Sequence, residues 1–187
     1  MSTDEELRRE VIDLPNGVSL SLHGRRLHAK GPLGGLDRPF PSDALELTVA
    51  GSTATLTLRL PAHRKRSQAL LRTWAAHLRN IGGGLTLGVE ARLKVVAAHF
   101  PMKVQVKGEE LIIENFLGEK HPRSTRLTPG TKAEVDGDIV RLSGHDVEQV
   151  GQSAANIERA TRIRDYDPRV FQDGIYLIER AHLKEAS

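Results

Sequence analysis

Two short patterns recur along this chain at a single spacing. Gly24-Arg25-Arg26-Leu27 and Leu33-Gly34 return as Gly108-Glu109-Glu110-Leu111 and Leu117-Gly118, all at an offset of 84 residues. In both copies a glycine-centred turn separates alternating apolar and polar residues, the pattern of a hairpin with one buried face. Val18, Leu20 and Leu22 lead into Gly24, and Lys103 to Lys107 lead into Gly108. Later hairpins follow at Gly51-Ser52 and at Asp136-Gly137-Asp138, the latter a strong turn signal. An amphipathic helix comes next in each copy. Leu71, Trp74, Ala75, Leu78 and Ile81 mark the first, and Val147, Val150, Ala154 and Ile157 the second. Two copies are too few for a solenoid, so the expectation is one α+β unit of roughly 85 residues, duplicated in tandem.

The expected fold class is therefore α+β, two tandem duplicated domains, each an antiparallel sheet packed with one main α-helix. The boundaries follow composition. Residues 1–10 read as an acidic tail, 11–84 as the first domain, 85–180 as the second, and 181–187 as a C-terminal tail. Gly31-Pro32-Leu33-Gly34-Gly35 reads as a loop, and Gly82-Gly83-Gly84 as a helix stop and linker. Aromatics are 4% of the chain, so the cores are built from Leu, Val, Ile and Ala.

Several classes are disfavoured at once. With no cysteine, disulfide frameworks, cysteine zinc sites and thiol catalysis are excluded. No apolar run approaches the roughly 20 residues of a membrane span, and the polar start resembles no targeting peptide, so a soluble cytoplasmic protein is expected. The net charge of +3 is mildly basic and its distribution is uneven. Residues 14–89 carry ten Lys/Arg against three Asp/Glu, and residues 90–187 fifteen against sixteen.

The segment richest in functional signals is Ser143–Glu179. Asp146 is placed to cap the second helix, with Gln149 at capping-box spacing. Gln149, Gln152, Asn156 and Arg159 repeat two positions after the apolar stripe, about 200° around the helix. Gly151, Ser153, Ala154 and Ala155 keep the helix slim, so that another backbone, or RNA, approaches closely at Gly151. Arg162, Arg164 and Arg169 follow, with Tyr166 and Phe171 among them. Amides and arginines suit ribose hydroxyls, phosphates and base edges. A second donor-rich stretch, Glu119 to Arg126, contains Lys120, His121, Arg123 and Arg126 and reads as a loop between strands. A third, Arg64-Lys65-Arg66, lies just before the first helix and reads as a solvated basic run, with a phosphate site at the helix N-terminus as the alternative. Gln172-Asp173-Gly174 reads first as a turn into the last strand, Gly174 to Ile178, the alternative being that Asp173 orients an arginine or accepts from a ribose hydroxyl.

A metal-dependent hydrolase built on His121, His145, Asp146 and Glu148 is a weaker reading, because the histidines lack the i, i+4 spacing of a helical metal site. Neither a phosphate-binding loop nor a nucleophile elbow is present, and no cofactor is expected. A free-standing RNA-binding or RNA-chaperone module is the other alternative.

Four motifs give the chain a resemblance to a known family. They are Val95 to Met102 (VVAAHFPM), Asn115 to Lys120 (NFLGEK), Gly144-His145-Asp146 with Val150 to Glu158 (VGQSAANIE), and Asp167 to Tyr176 (DPRVFQDGIY). In this order and spacing the chain resembles the universal large-subunit ribosomal protein six family in its archaeal and eukaryotic form. The resemblance implies duplicated α+β domains, no catalysis, and binding to large-subunit ribosomal RNA mainly through the second domain, near the region that serves translation factors. Other large-subunit ribosomal proteins are implied neighbours. Bacterial members end in a lysine- and glycine-rich tail that this chain lacks, so their tail contacts do not transfer.

Overall fold

The computed structural model describes residues 9–59, 64–164, 167 and 169–185. Most of the expected acidic tail, together with His63, Tyr166, Pro168 and the last two residues, lies outside these. The chain divides into two compact units, Met1–Leu87 and Gly88–Ser187.

The first unit holds β1 (Arg9–Asp13), β2 (Ser19–His23), β3 (Arg26–Gly31), β4 (Gly34–Pro39), β5 (Leu45–Ala50), β6 (Thr53–Leu58) and α1 (Lys65–Leu87). Its antiparallel strands form two sheets, ordered β2-β3-β4 and β1-β6-β5. Alternation decides which face is buried. In β6, Ala54, Leu56 and Leu58 face the core while Thr53, Thr55 and Thr57 alternate with them. Leu71, Trp74, Leu78 and Ile81 of α1 close over this core, with Trp74 edge-on to Phe40 at 4.9 Å between ring centroids.

Two expectations are corrected here. Part of the Gly31–Gly35 loop is strand. Gly31 pairs with Gly34 around a two-residue turn, and β4 runs on to Pro39. The glycines there shape a hairpin, with Gly34 at φ +143°, a conformation other residues avoid. Likewise Gly82-Gly83-Gly84 does not stop the helix. All three lie inside α1 and are buried, and the left-handed glycine beyond the helix end is Gly88, at φ +82°. Packing accounts for the first of the three. A Cβ on Gly82 would stand 2.9 Å from the Pro15 ring.

The second unit repeats the plan. It holds β7 (Val89–Val96), β8 (Lys103–Lys107), β9 (Glu110–Glu114), β10 (Arg123–Arg126), β11 (Lys132–Asp136), β12 (Ile139–Gly144), α2 (Val147–Ala160) and β13 (Gly174–Leu183). Its sheets are β10-β9-β8 and β11-β12-β7-β13. The first matches β4-β3-β2. The second matches β5-β6-β1 with one strand added, so the recurrence at 84 residues is a recurrence of topology. The expected closing strand ends at Ile178. The observed β13 runs to Leu183 alongside β7 with two register shifts, taking in the start of the expected C-terminal tail. Val150, Ala154 and Ile157 of α2 are buried against β7 and β12 residues, including Leu93, Val140 and Leu142.

Gly82→Val adds a branched side chain against Pro15. It should destabilise the first unit by about 1–3 kcal/mol, the usual cost of overpacking. Urea unfolding followed by the fluorescence of Trp74, the single tryptophan, reads this unit directly. An unchanged midpoint would mean that α1 and Pro15 separate freely.

Candidate nucleic-acid interface

Two departures of the second unit from the first border α2. Where β3 and β4 are joined by Pro32-Leu33, β9 and β10 are separated by residues 115–122. This longer connection holds two non-glycine residues in left-handed conformation, Asn115 at φ +59° and Leu117 at φ +50°. Such conformations persist only where the surroundings impose them. Here the Asn115 amide donates to the Pro101 carbonyl at 2.9 Å, and Phe116 is 1% exposed in the core. The second departure is the segment after α2, which leads into the added strand β13.

Arg123 joins the two. It opens β10, so the sequence stretch expected to be a loop is strand from Arg123 to Arg126. Its guanidinium forks onto Glu119 at 2.6 and 2.8 Å. It also donates to the Ala160 carbonyl at 2.8 Å and the Arg162 carbonyl at 3.3 Å, and lies 4.2 Å from the Phe116 ring centroid. The last carbonyls of a helix lack partners within it and carry partial negative charge, and a cation there satisfies both. The hydrogen bond from Arg123, opposed by partial burial and aided by its charge, holds the Glu119 carboxyl below its usual range. Arg123 therefore spends its donors within the protein.

A cleft of about 350 Å³ opens beside this junction, lined by Arg123, Ser124, Arg159, Ala160, Arg162 and Arg164. Of the residues expected to meet RNA, these four arginines come together. Arg159, Arg162 and Arg164 are exposed, and among the described residues none forms an ion pair with a carboxylate. Lys120, His121, Arg126 and Arg169 are exposed but do not line the cleft. Arg169 sits in a turn where its backbone amide donates to Asp167 at 2.9 Å.

The amide stripe is narrower than its spacing suggests. Gln152 and Arg159 are exposed, whereas Gln149 and Asn156 are half-buried. The buried arc of α2 extends sideways to Ser153, fully buried and bonded to Thr128 through its hydroxyl at 2.6 Å and the Thr128 amide at 3.0 Å. Thr128 also donates to the Gln149 carbonyl at 2.6 Å. The Gln152 amide donates to Asn156 at 2.8 Å, which orders the stripe. Gly151 answers a neighbour within its own unit: a Cβ there would stand 3.8 Å from Ala181 of β13. That is ordinary contact distance, so the added strand runs beside Gly151 without requiring a glycine there.

Asp173 is also reassigned. It is 1% exposed and accepts from the His99 amide at 3.0 Å, the His99 ring at 2.8 Å and the Phe100 amide at 3.4 Å. It orients a histidine, not an arginine, and so ties the β7–β8 connection to the start of β13. His99 packs on Phe171 with ring centroids 4.9 Å apart. Sequence separation of 74 residues hides this pair from pattern reading. Burial alone would raise the Asp173 pKa, but the three hydrogen bonds and the histidine together outweigh it and hold the carboxyl below the usual value.

The residues of the hydrolase reading are not assembled. Asp146 caps α2, accepting from the Glu148 amide at 2.9 Å, while the His145 ring packs beside Gly130. Among the described residues the one close group of metal-ligand types is Glu90, Glu179 and His182. The Arg92 guanidinium lies 3.2 Å from Glu90 and 3.3 Å from Glu179, so those carboxylates already have a cation. The Arg64-Lys65-Arg66 run is exposed at the start of α1. No helix among the described residues is long and apolar enough to cross a membrane.

Geometry thus defines a tandem α+β protein whose second copy carries an elaborated, arginine-lined surface. Comparison with known sequences agrees. The profile of the family described as ribosomal protein L6 matches residues 100–174. The large ribosomal subunit protein uL6 of Methanospirillum hungatei is 47% identical over 171 residues, covering 91% of this chain and 96% of that protein. The proteins of the same name from Methanosarcina mazei and Archaeoglobus fulgidus are 42% and 39% identical, covering 91% and 96% of this chain and 96% and 93% of their own lengths. The chain belongs to the ribosomal protein L6 family.

The sign of the Asp173 shift makes a test. A carboxyl whose folded pKa lies below its unfolded value of about 3.9 stabilises the fold fully above that value and progressively less as pH falls through the folded pKa. Asp173→Asn should therefore cost about 1–3 kcal/mol at pH 7 and visibly less at pH 3. Urea unfolding followed by far-ultraviolet circular dichroism measures both. An equal cost at the two pH values would remove the charge from the account.

Proposed function

We propose that this chain is a structural component of the large ribosomal subunit that binds large-subunit ribosomal RNA mainly through its second unit. The observation that carries the reading is the cleft in which Arg159, Arg162 and Arg164 present exposed guanidiniums without carboxylate partners among the described residues. The relatives' shared name, large ribosomal subunit protein uL6, supports the assembly. Guanidiniums fork onto phosphate oxygens, and the neighbouring Gln152 and Asn156 both donate and accept, as ribose 2′-hydroxyls require. Lys120, His121 and Arg126 extend the positive surface along the loop and β10, and Arg169 extends it along the segment before β13. Other large-subunit proteins are the expected neighbours. A position near the region that serves translation factors rests on the family resemblance. The role is one of holding RNA in place, without catalysis.

Titration of large-subunit ribosomal RNA at several salt concentrations tests this. If Arg159, Arg162 and Arg164 each neutralise a phosphate, replacing any one by Ala should reduce the salt-dependence slope by ~0.7–0.9. Slopes unchanged in all three would move the interface elsewhere. Arg123→Ala should behave differently, lowering the stability of the second unit by about 1–3 kcal/mol through its broken charged hydrogen bonds.

A further inference from the structure

Exposed side chains usually rotate freely, but Tyr176 is fixed. It is 44% exposed, yet its hydroxyl donates to the Gln172 carbonyl at 3.1 Å. Its ring covers Gly174 so closely that a Cβ there would stand 3.1 Å from the ring edge and the hydroxyl. A side chain at Gly174 would push the ring aside by a few tenths of an ångström. Holding an aromatic ring against the backbone while leaving it in water forfeits rotamer freedom without completing the burial that usually compensates. On β13 the core contacts are made by Ile175, Leu177, Ala181 and Leu183, so the core does not require Tyr176 in this position.

The ring borders a second cleft, of about 570 Å³, shared with Arg159, Arg162, Ile163, Glu158 and Thr161. The polar groups of this cleft divide sharply. Thr161 accepts from the Ile175 amide at 3.0 Å, and Glu158 accepts from the Leu177 amide at 2.8 Å. Both fasten α2 to β13. The acidic group is thus engaged by backbone, while Arg159 and Arg162 remain without carboxylate partners among the described residues. A rigid aromatic face beside two available guanidiniums, in a concave site, matches one ligand chemistry closely: a flat base attached to a phosphate.

We propose that this cleft receives a single unpaired nucleotide of the bound RNA, with its base stacked on Tyr176 and its two flanking phosphates held one each by Arg159 and Arg162. The proposal rests on the RNA-binding reading above and sharpens it. Bases within a helix have both faces occupied by their neighbours, so a stacking platform selects a bulge, loop or strand end. Stacking tolerates any base, because each offers a π face.

The full chain is titrated with large-subunit ribosomal RNA, and separately with a short single-stranded oligoadenylate carrying one 2-aminopurine, whose fluorescence falls on stacking. Wild type should quench the probe. Tyr176→Leu, similar in bulk but without a π face, should abolish the quenching and weaken ribosomal RNA binding by roughly 5- to 100-fold. Tyr176→Phe keeps the π face and loses only the hydroxyl anchor to Gln172, so it should retain quenching and bind ribosomal RNA more tightly than Tyr176→Leu. Arg162→Ala should weaken binding while leaving quenching at saturating protein. If ribosomal RNA binds with the arginine-dependent salt slope but Tyr176→Leu matches wild type, the nucleotide site is wrong and the RNA interface stands. Equal losses in Tyr176→Phe and Tyr176→Leu would likewise overturn stacking. If wild type fails to bind ribosomal RNA, both readings fall together.

Discussion

The second unit depends on where Arg123 spends its five donors. One side of the guanidinium closes on Glu119, another reaches the last carbonyls of α2, and its face rests on Phe116. Without that arginine the carbonyl end of α2 would face the loop before β10 unsatisfied, and the loop would lose its anchor beside the helix. Arg123 engages both the Glu119 carboxylate and the helix end, and among the described residues no carboxylate pairs with Arg159, Arg162 or Arg164. One cation is consumed in construction and three remain for a partner. Lysine cannot substitute, since it lacks the planar fork that grips Glu119 with two bonds while reaching past it.

Duplication makes the specialisation visible. The first unit joins β3 and β4 with a two-residue turn and ends its helix at a single glycine. The second inserts residues 115–122 at the equivalent turn and continues past its helix into β13. The two additions meet at the C-terminal end of α2, where both clefts open. The outer face of α1 carries Arg72, Thr73, Arg79 and Asn80, with Arg79 directed to Glu10 at 3.5 Å. The same scaffold thus serves in one copy to enclose a core and in the other to present a surface. Added backbone also brings added edges. Thr161, the C-cap of α2, and Glu158 within it accept the amides of Ile175 and Leu177 at the start of β13, so helix capping and edge protection become one arrangement.

Much of this is legible in the sequence, for identifiable reasons. The hairpins at Gly24, Gly51, Gly108 and Gly137 are readable because left-handed turns demand glycine, and the apolar stripe of α2 because burial follows helical period. The Gly82-Gly83-Gly84 triplet misleads because local propensity favours a stop, while the helix runs through all three and packs Gly82 against Pro15. Arg123 looks like any loop cation, since its roles depend on Glu119 four residues away and on carbonyls 37 and 39 residues away. Asp173 with His99 is similar: the pairing exists only once β13 lies beside β7. The arginines after α2 are identifiable by type, but their convergence into a cleft with β10 is not, because no periodicity links a strand to a helix end.

The central claim is that the end of α2, and not its counterpart in the first unit, meets RNA. Ultraviolet crosslinking of assembled large subunits, read by mass spectrometry of RNA-bearing peptides, addresses it most directly. The account predicts crosslinked peptides spanning residues 120–126 and 156–176, with the outer face of α1 around Arg72 and Arg79 unmarked. Crosslinks concentrated on α1 or its basic start at Arg64, with none beside α2, would contradict it.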